Sequence, residues 1–332
     1  MTLEVTQFFK KTTGVLNSFE RLFEDVRANL SKSVVFKVKY LRFYSRGIFP
    51  RIANIFYASK NSGSINHITG DVHYISYLLK RKKTILTIHD CGILAEKKSI
   101  KQLIFWLIWF WLPEKRSEVI TTVSHFSKSE IVKYLKCDPD KIVVIHNSLS
   151  PEFLFSEKSF TYEKPRILHI GTADNKNLKR HIRALEGIDC KFVVIGQLSR
   201  LDLLLLESSS FEYENLHNLS RDEVLKEYRK SDIVLFCSTY EGFGFPIIEA
   251  QAVGRPVITS NICSMPEIAG EGAILVNPYN VGEIRLQVLR LIGDEDYRNC
   301  IVQQGLINIE RFNALITAKK YYSIYEKINR KS

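Results

Sequence analysis

The sequence has few of the features that mark membrane-spanning, secreted or metal-binding proteins. No apolar stretch reaches the roughly 18 residues of a transmembrane helix, and the opening residues MTLEVTQFFKKTTG lack the apolar core of a signal peptide. The six cysteines form no CxxC pair and no metal-ligand spacing, which favours reduced, buried thiols over a disulfide framework. We therefore expect a cytoplasmic protein. The cysteines are Cys91, Cys137, Cys190, Cys237, Cys263 and Cys300.

Length and composition indicate an ordinary globular protein of two domains. The chain has 332 residues, of which 45% are hydrophobic and 25% charged, and a single core stops growing below that length. The net charge of +11 is concentrated in residues 1–163, which carry 25 Lys/Arg and 15 Asp/Glu. This half could attract nucleic acid, an acidic substrate or a phospholipid surface, or its charge could serve solubility alone. We expect no nucleic-acid partner, because no recognition motif accompanies the charge.

Short β-rich apolar runs alternate with helical patterns along almost the whole chain, which predicts parallel sheets covered by helices on both faces. The alternation pauses at Pro151–Pro165 and then restarts. We predict an α/β protein with two doubly wound, Rossmann-like domains facing each other across a cleft. They are residues 1–155 and 164–312, with a helix in residues 313–332 that packs back across the linker. The predicted strands are Leu3–Phe9, Val34–Tyr40, Ser64–Ile68, Thr84–Ile88, Val119–Val123, Lys141–Ile145, Arg166–Ile170, Lys191–Ile195, Asn215–His217, Asp232–Phe236, Pro256–Thr259 and Ala273–Val276.

The strongest local signal is EGFGFPIIE, which runs from Glu241 to Glu249 between a buried-type strand and a helix. Gly242 and Gly244 let the backbone approach a ligand, and Pro246 suits a first helical turn. Backbone N–H groups at such a helix start favour a diphosphate. Glu249, inside the helix, can accept hydrogen bonds from two ribose hydroxyls, and Glu241, on the loop, can face a sugar. The alternative is a glycine-rich turn with a helix-capping glutamate.

Several segments, in this order along the chain, resemble the motifs of the family 4 retaining glycosyltransferases, whose fold is GT-B. The resemblance covers nearly the whole chain and implies two Rossmann-like domains, a nucleotide-sugar donor and transfer with retention. The segments are TILTIHDCG (Thr84–Gly92), VSHFSKSEI (Val123–Ile131), IHNSLSPEF (Ile145–Phe153), ILHIGTADNKNLKRHIRAL (Ile167–Leu185), EGFGFPIIE (Glu241–Glu249) and RPVITSNICSMPEIAGEGAILVNP (Arg255–Pro278).

The resemblance implies a donor site in the second domain and a catalytic role for Glu241 at the sugar. Lys176 follows a strand and precedes a helix, so its ammonium can meet diphosphate oxygens there, although a solvated lysine is the alternative. Thr172 occupies a place where the family often has a basic residue, and Arg180 or His181 is expected to compensate. The predicted donor-binding residues are Gly171, Thr172, Lys176, Asn177, Gly242, Phe243, Gly244, Phe245 and Glu249.

The first domain supplies candidates for catalysis and for the acceptor side. His89 and Asp90 end a predicted strand, where open α/β sheets place their ligand residues. We predict that His89 contacts the transferring sugar or the acceptor, with a core histidine as the alternative. The acceptor-side candidates at strand ends are Asp90, His67, Asp71 and His73, and Gly14 is a weak candidate for a donor-sugar contact.

Two acidic triplets have the D-x-D form of a metal site. Asp138-Pro139-Asp140 precedes a strand, which favours a turn, and Asp294-Glu295-Asp296 has the form of a helix start. We therefore predict a reaction that needs no divalent cation or other cofactor. The charge of the leaving group would be met by Lys176, helix N termini and backbone N–H groups.

The run LIFWLIWFWL (Leu103–Leu112) is apolar on all sides. Ten residues are too few to span a bilayer. The run fits burial in the core or against a partner, and with flanking Lys97, Lys98, Lys101, Lys115 and Arg116 it also fits shallow insertion beneath lipid headgroups. The second alternative predicts peripheral contact with the inner face of the membrane and a lipid-linked acceptor.

The sequence thus predicts a metal-independent glycosyltransferase of GT-B fold. Its partners would be a nucleotide-sugar and a glycan or polyprenyl-linked acceptor, and the resemblance implies cell-surface polysaccharide synthesis. The main alternative is a degenerate GT-B protein that binds a sugar or nucleotide without transferring it. A GT-B sugar epimerase is a further alternative.

Overall fold

The computed structural model describes residues 3–11, 18–94 and 99–330. The chain divides into two compact units, Met1–Ser150 with Asn313–Ser332, and Pro151–Phe312. The predicted first domain ended at residue 155, whereas Pro151 onward belongs to the second unit. Phe153 shows why: its ring packs edge-on against Tyr228 with the ring centroids 5.5 Å apart, and both side chains are buried.

The first unit contains a parallel sheet of six strands in the order β2-β1-β3-β4-β5-β6. The central strands β3, β4 and β5 are buried on both faces, and they contain Asn, His and Thr as well as apolar residues. Chain order runs outward in two directions from the β1–β3 pair. The strands are β1 Leu3–Phe9, β2 Val34–Tyr40, β3 Ile65–Ile68, β4 Thr84–Ile88, β5 Val119–Thr122 and β6 Ile142–Val144.

The second unit repeats the design with the strand order β12-β11-β10-β7-β8-β9, again all parallel. The two units therefore confirm the predicted pair of doubly wound α/β sheets. The strands are β7 Arg166–Ile170, β8 Lys191–Ile195, β9 Glu212–Leu216, β10 Ile233–Phe236, β11 Val257–Ser260 and β12 Ile274–Val276.

The largest difference from the predicted strands is at β9, which was expected at Asn215–His217. The observed strand starts three residues earlier because Glu212 pairs in register with Lys191 of β8. Lys191 Nζ lies 3.1 Å from carboxylate oxygens of both Glu212 and Glu214. These charges stabilise an edge strand that lacks the apolar pattern of a buried one.

Helices cover both faces of each sheet. The capping box expected at Ser220 and Glu223 is present. Among the described residues, no helix is both long and apolar enough to cross a membrane. The α-helices are α1 Ser18–Leu30, α2 Ile48–Lys60, α3 Ile100–Trp106, α4 Leu112–Lys115, α5 His125–Leu135, α6 Leu178–Leu185, α7 Arg200–Glu207, α8 Arg221–Lys230, α9 Phe245–Val253, α10 Met265–Ala269, α11 Val281–Gly293, α12 Glu295–Asn308 and α13 Ala314–Arg330.

The C-terminal helix α13 returns to the first unit and packs beside α1 on one face of the first sheet. Its buried Tyr321, Ile324, Tyr325 and Ile328 join one core cluster with residues of β1 and α1. A separate cluster fills the opposite face of that sheet. The final helix is therefore a structural part of the first unit.

Candidate active site

The second sheet changes direction between β7 and β10, which are neighbours in the sheet. From β7 the chain moves outward to β8 and β9, and from β10 it moves outward to β11 and β12. Ligands of open α/β sheets bind outside the carboxyl ends of the strands at such a switch point. The loop that follows β7 begins at Gly171, and the loop that follows β10 runs up to Gly244.

Hydrogen bonds join these two loops into one rigid structure. The Thr239 N–H donates to the Asn175 carbonyl at 2.7 Å, and Asn175 Nδ2 donates to the Tyr240 carbonyl at 2.9 Å. Asn177 Nδ2 donates to the Cys237 carbonyl at 2.9 Å and to the Pro278 carbonyl at 2.7 Å. The β7 loop is therefore held by residues that lie far from it in sequence.

The central feature of the site is an ion pair between Lys176 and Glu241. Lys176 Nζ lies 2.6 Å from Glu241 Oε1, and both side chains are partly buried. The lysine stem passes over Gly171, whose φ is +91° and where a Cβ would lie 3.0 Å from the lysine Cγ and Cε. Gly171 thus provides the space that Lys176 needs. The ammonium also lies 4.9 Å from the centroid of the Phe236 ring.

The EGFG segment leads into α9 as the sequence predicted. Gly244 has φ +104°, and a Cβ there would approach Ile247 Cδ1 to 3.1 Å, so both conformation and space favour glycine. Ser264 Oγ lies 2.8 Å from the Glu241 carbonyl and 2.9 Å from the Phe243 carbonyl. Phe243 is buried and Phe245 is partly exposed, with their ring centroids 5.2 Å apart.

Glu249 lies within α9 and is only 8% exposed. Its Oε2 accepts a 2.7 Å hydrogen bond from the Tyr228 hydroxyl, and its Oε1 lies 3.7 Å from an Arg221 nitrogen. Burial raises the pKa of Glu249, while the Tyr228 hydrogen bond and the Arg221 charge act against that rise. Arg221 also pairs with Glu152. The Tyr228 hydroxyl already donates a hydrogen bond to this carboxylate, so ribose hydroxyls would compete with it.

Three side chains that were expected to contact the donor instead form hydrogen bonds within the protein. They are Thr172, Asn177 and His181. Thr172 Oγ1 donates to the Gln197 carbonyl at 2.7 Å. The Asn177 side chain gives its amide to two carbonyls, as described above, and its Oδ1 accepts from Arg180 at 2.8 Å. His181 is fully buried, so the expectation that it compensates for Thr172 as a phosphate ligand is wrong. Arg180 is partly exposed at the start of α6 and remains a candidate.

His181 contacts a second buried histidine, His169, directly beneath the β7 loop. Their Nδ1 atoms lie 2.9 Å apart, and His169 Nε2 lies 2.7 Å from the Gly171 carbonyl. Burial lowers the pKa of His169 to about 4 and lowers that of His181 as well, so both rings are neutral near neutral pH. A carbonyl only accepts, and the contact with the Gly171 carbonyl is shorter than the 3.4 Å between His169 Nδ1 and the Leu235 carbonyl. We therefore assign the His169 proton to Nε2, and Nδ1 accepts from His181.

Residues that the sequence analysis missed hold the site together. Asn175 and Ser264 bind the EGFG loop, Tyr228 binds Glu249, and His169 binds the Gly171 carbonyl. Asn175 and Ser264 lie inside segments quoted for the resemblance, so their position was a usable signal. Tyr228 lies in an ordinary amphipathic helix, where nothing distinguishes it from a core tyrosine.

In the first unit, His89 lies at the carboxyl end of β4 and is almost fully buried. Its Nε2 donates to the Thr69 carbonyl at 2.9 Å, and Ser127 Oγ donates to its carbonyl at 3.2 Å. Burial lowers the pKa of His89, which keeps the ring neutral. Asp90 is exposed, and its Oδ1 accepts from the Gly92 N–H at 3.0 Å. The predicted role of His89 with the sugar stays a prediction.

His67 and His73 are core residues, and their predicted place on the acceptor side is wrong. His67 is fully buried, with Nδ1 at 2.9 Å from the Tyr325 hydroxyl and Nε2 at 2.8 Å from Thr87 Oγ1. His73 is buried, with Nδ1 at 2.9 Å from the Trp109 carbonyl. Helix α13 covers the first ring, and residues of the Leu103–Leu112 run cover the second. Asp71 is exposed, as an acceptor contact requires.

The two acidic triplets have the structures expected of a turn and a helix start. Asp138 Oδ1 accepts from the Asp140 N–H at 2.9 Å, and Asp294 caps α12 by accepting from the Tyr297 N–H at 2.9 Å. In the described part of the chain, no group of three His, Cys, Asp or Glu residues is arranged to hold a metal. Metal independence stays a prediction. Gly14, the weak sugar-contact candidate, lies outside the described residues.

A cavity of about 490 Å³ lies at the opposite, amino-terminal edge of the second sheet. Its charged groups are used internally: Asp232 accepts from Lys158 and from the backbone N–H groups of Thr161 and Arg166. Buried Arg255 donates to carbonyls of Ser156 and other residues. We therefore assign the chemistry to the carboxyl edge.

The protein has two doubly wound units, and the switch point of the second sheet holds a glycine loop, a lysine and the start of a helix. These features define the class of GT-B proteins. Comparison with known proteins agrees. The family model described as Glycosyl transferases group 1 matches residues 152–306, and the one described as Glycosyltransferase Family 4 matches residues 65–153. With these matches, and with relatives that are themselves named glycosyltransferases, the chain is a glycosyltransferase of GT-B fold.

Among curated relatives, the chain is 26% identical over 264 residues to an uncharacterized glycosyltransferase of Methanocaldococcus jannaschii, covering 77% of this chain and 72% of that protein. It is 30% identical over 208 residues to the O-antigen chain mannosyltransferase RfbU of Salmonella typhimurium, covering 60% and 58%. The second match thus spans less than two thirds of either protein. Among solved structures, Anabaena HepE in complex with UDP-glucose has a TM-score of 0.77 at 14% identity, covering 98% of this chain and 100% of that one.

Proposed function

We propose that this glycosyltransferase moves a hexose or related sugar from a nucleoside diphosphate to a glycan or polyprenyl-linked acceptor in cell-surface polysaccharide synthesis. The observation that carries the proposal is the 2.6 Å pair of Lys176 and Glu241 at the switch point of the second sheet. The lysine is a cation for the diphosphate, and the glutamate is an acceptor for sugar hydroxyls. The O-antigen role of the Salmonella typhimurium relative and the UDP-glucose bound by the Anabaena protein support this donor and acceptor class.

Donor binding in this proposal rearranges the Lys176–Glu241 pair. A diphosphate beside Lys176 competes with Glu241 for the ammonium, since two negative groups share one cation. The released carboxylate then accepts hydrogen bonds from the sugar. The start of α9 adds backbone N–H groups and the positive end of a helix dipole.

The transfer step breaks the bond between the sugar C1 and the diphosphate oxygen. An acceptor hydroxyl forms the new bond to C1, and its proton passes to the leaving diphosphate. Attack from the face of the leaving group retains the configuration at C1 and needs no enzymic nucleophile. Charge on the leaving oxygen is met by Lys176 and the α9 N terminus, so we propose that no divalent cation takes part.

The donor is tested by thermal unfolding of the purified protein with a panel of nucleotide-sugars. A donor that binds only the folded state stabilises it, by about 2.7 kcal/mol at a concentration one hundred times its Kd. Glu249→Ala should weaken donor binding about ten- to hundredfold, because hydrogen bonds to a charged group are lost. Glu271→Ala, at an exposed position in the same unit, is the matched control and should leave the shift unchanged. A panel in which no nucleotide-sugar raises the melting temperature would contradict the donor proposal.

Turnover is tested by measuring kcat of the variants Glu241→Ala and His89→Ala with the nucleotide-sugar that the panel identifies as the donor. Each should lower kcat by roughly a hundredfold, the size of effect known for single transition-state contacts, with a smaller change in donor affinity. Activity should persist in excess EDTA. Wild-type kcat in both variants would refute the two catalytic assignments, and loss of activity in EDTA would refute metal independence.

The alternative of a binding protein without transferase activity has its own test. Slow hydrolysis of the bound nucleotide-sugar in the absence of acceptor indicates a reactive site, because water then replaces the acceptor. Tight donor binding with neither hydrolysis nor transfer would favour the binding protein.

A further inference from the structure

Helix α2 exposes an apolar face. Ile48, Ile52 and Phe56 are spaced four residues apart and lie on one side of the helix with Phe49, which is 85% exposed; Phe56 is 63% exposed. A surface helix normally turns its apolar residues to the core and polar residues to the solvent. On the inner side, Asn54 and Ala58 are fully buried, and Ile55 and Tyr57 pack against the core.

The orientation of α2 is held by that buried asparagine. Asn54 Nδ2 donates to the Phe43 carbonyl at 2.9 Å and to the Tyr74 hydroxyl at 3.1 Å, and Oδ1 accepts from the Phe43 N–H at 3.2 Å. All hydrogen-bonding groups of this amide are therefore used. Turning the apolar face inward would break these bonds.

A second apolar stripe runs along α3 and the π-helical turn Leu107–Trp111 that follows it. Ile100, Leu103, Ile104 and Leu107 follow the i, i+3, i+4, i+7 spacing of one helical face, and all four are exposed, Ile100 by 80% and Leu103 by 62%. Trp109 and Phe110 are buried in the core. The apolar run of the sequence is thus divided between the core and the surface.

The two stripes belong to one region of the first unit. The Arg51 guanidinium of α2 lies 5.1 Å from the centroid of the Trp109 ring. Between them, the turn His73–Leu78 packs against α2, and its Tyr77 hydroxyl bonds the Ile108 carbonyl. We call the exposed side chains of α2 and of Ile100–Leu107 the α2–α3 surface.

The segments of the chain that carry the α2–α3 surface contain basic residues and no acidic ones. The sequence has no Asp or Glu between Asp25 and Asp71, and eight Lys or Arg residues in that interval. It likewise has no acid between Glu96 and Glu114. Basic side chains next to the stripes are exposed, namely Arg42, Arg46, Lys60 and Lys101.

A surface with exposed apolar side chains and neighbouring basic side chains matches an anionic bilayer. The apolar side chains enter the headgroup boundary, and the basic side chains meet the lipid phosphates. A second copy of this chain would bring the same positive charge against itself. We propose that the α2–α3 surface docks on an anionic membrane surface. The proposal deepens the proposed function, because it would bring the enzyme to a polyprenyl-linked acceptor, but docking itself requires no donor.

The test is sedimentation of the full chain with two kinds of vesicle, phosphatidylcholine alone and phosphatidylcholine mixed with phosphatidylglycerol. We expect binding to the mixed vesicles that weakens as salt rises. The double variants Phe49→Ser/Phe56→Ser and Leu103→Ser/Ile104→Ser should each weaken binding at least about tenfold, since each removes two inserting side chains. Arg42→Gln/Arg46→Gln should weaken binding and reduce its salt dependence.

The matched control is Leu201→Ser/Leu204→Ser, which removes two equally exposed leucines of α7 in the second unit. This control should bind as the wild type does. Absence of binding to both vesicles, or full binding by both stripe variants, would overturn the proposal. So would self-association of the wild type that both stripe variants abolish, because a second copy would then be the occupant.

The donor-induced thermal shift separates this proposal from the proposed function. Stripe variants that lose vesicle binding and keep the shift support docking as a distinct property of a folded protein. If the wild type shows no shift with any donor, the proposed function fails while vesicle binding is still decided by sedimentation. Loss of both folding and binding in one stripe variant leaves the decision to the other stripe and to the arginine variant.

Discussion

Two neutral histidines support the loop that carries Gly171 and Lys176. His181 donates to His169, and His169 donates to the Gly171 carbonyl, so a short chain of hydrogen bonds ends at the backbone of the candidate donor site. His181 Nε2 is buried and has no hydrogen-bond partner among the described residues. The pair therefore connects α6 to the backbone of the β7 loop.

We predict that the two histidines behave as a unit on mutation. His169→Phe should lower the free energy of unfolding by about 1–3 kcal/mol, because it leaves the His181 donor and the Gly171 carbonyl unpaired. The double variant His169→Phe/His181→Leu should cost less than the sum of the single variants, since it removes both partners. A double-mutant cycle from urea unfolding measures this coupling. Strictly additive losses would contradict the hydrogen-bond chain.

At the scale of single elements, α13 connects the end of the chain to the first sheet. Tyr325 is fully buried and bonds His67 Nδ1 at 2.9 Å, and Gln7 Nε2 lies 3.5 Å from its hydroxyl. Tyr321 and Phe23 enclose the same histidine, with ring centroids 5.4 Å and 5.0 Å away. The helix thus covers polar groups that would otherwise lie at the surface of the sheet.

We predict that Tyr325→Phe destabilises the first unit by about 1–2 kcal/mol. It keeps the ring and removes the hydroxyl, which leaves a buried nitrogen of His67 unpaired. Tyr322→Phe, on the partly exposed side of the same helix, should change stability by less than about 0.5 kcal/mol. Urea unfolding followed by tryptophan fluorescence suits the measurement, because all three tryptophans lie in the first unit. Equal effects of the two variants would show that α13 is not anchored through His67.

At the scale of the whole molecule, both units contain buried histidines with lowered pKa values. Burial lowers the pKa of His67 to about 3 and that of His169 to about 4, and it also lowers the pKa values of His73, His89 and His181. The unfolded chain has ordinary histidines with pKa values near 6.5. Below that pH the unfolded state binds more protons than the folded state.

We therefore predict that the protein loses stability on acidification. The loss begins as pH falls through about 6.5 and continues toward pH 4, with a slope of up to about 1.4 kcal/mol per pH unit for each histidine that stays neutral. Melting temperatures at pH 7.5 and pH 5.0 measure the effect, and the His169→Phe/His181→Leu variant should show a smaller change. A melting temperature that is constant across this range would contradict the assignment of neutral buried rings.

The sequence was sufficient to predict the architecture because that information is local. Strands such as Thr84–Ile88 and Arg166–Ile170 are short apolar runs bounded by polar turns, and their order with the helices defines a doubly wound sheet. The EGFG segment is likewise local, since a glycine with positive φ at a helix start imposes its own geometry on residues 241–246. The strand β9 was misplaced for the opposite reason, because its pairing depends on the charge of Lys191 in another strand, β8.

The tertiary structure decided which side of each element meets solvent and which polar groups meet each other. The local sequence around a histidine at a strand end does not reveal whether another element covers that histidine. At His67, the helix α13 covers the ring. The outward apolar face of α2 depends on the Asn54 contacts with Phe43 and Tyr74. Lys176 and Glu241 are 65 residues apart and meet only because β7 and β10 are neighbours. Periodicity defines a face, but burial depends on what packs against it, and that is a long-range property of the folded chain.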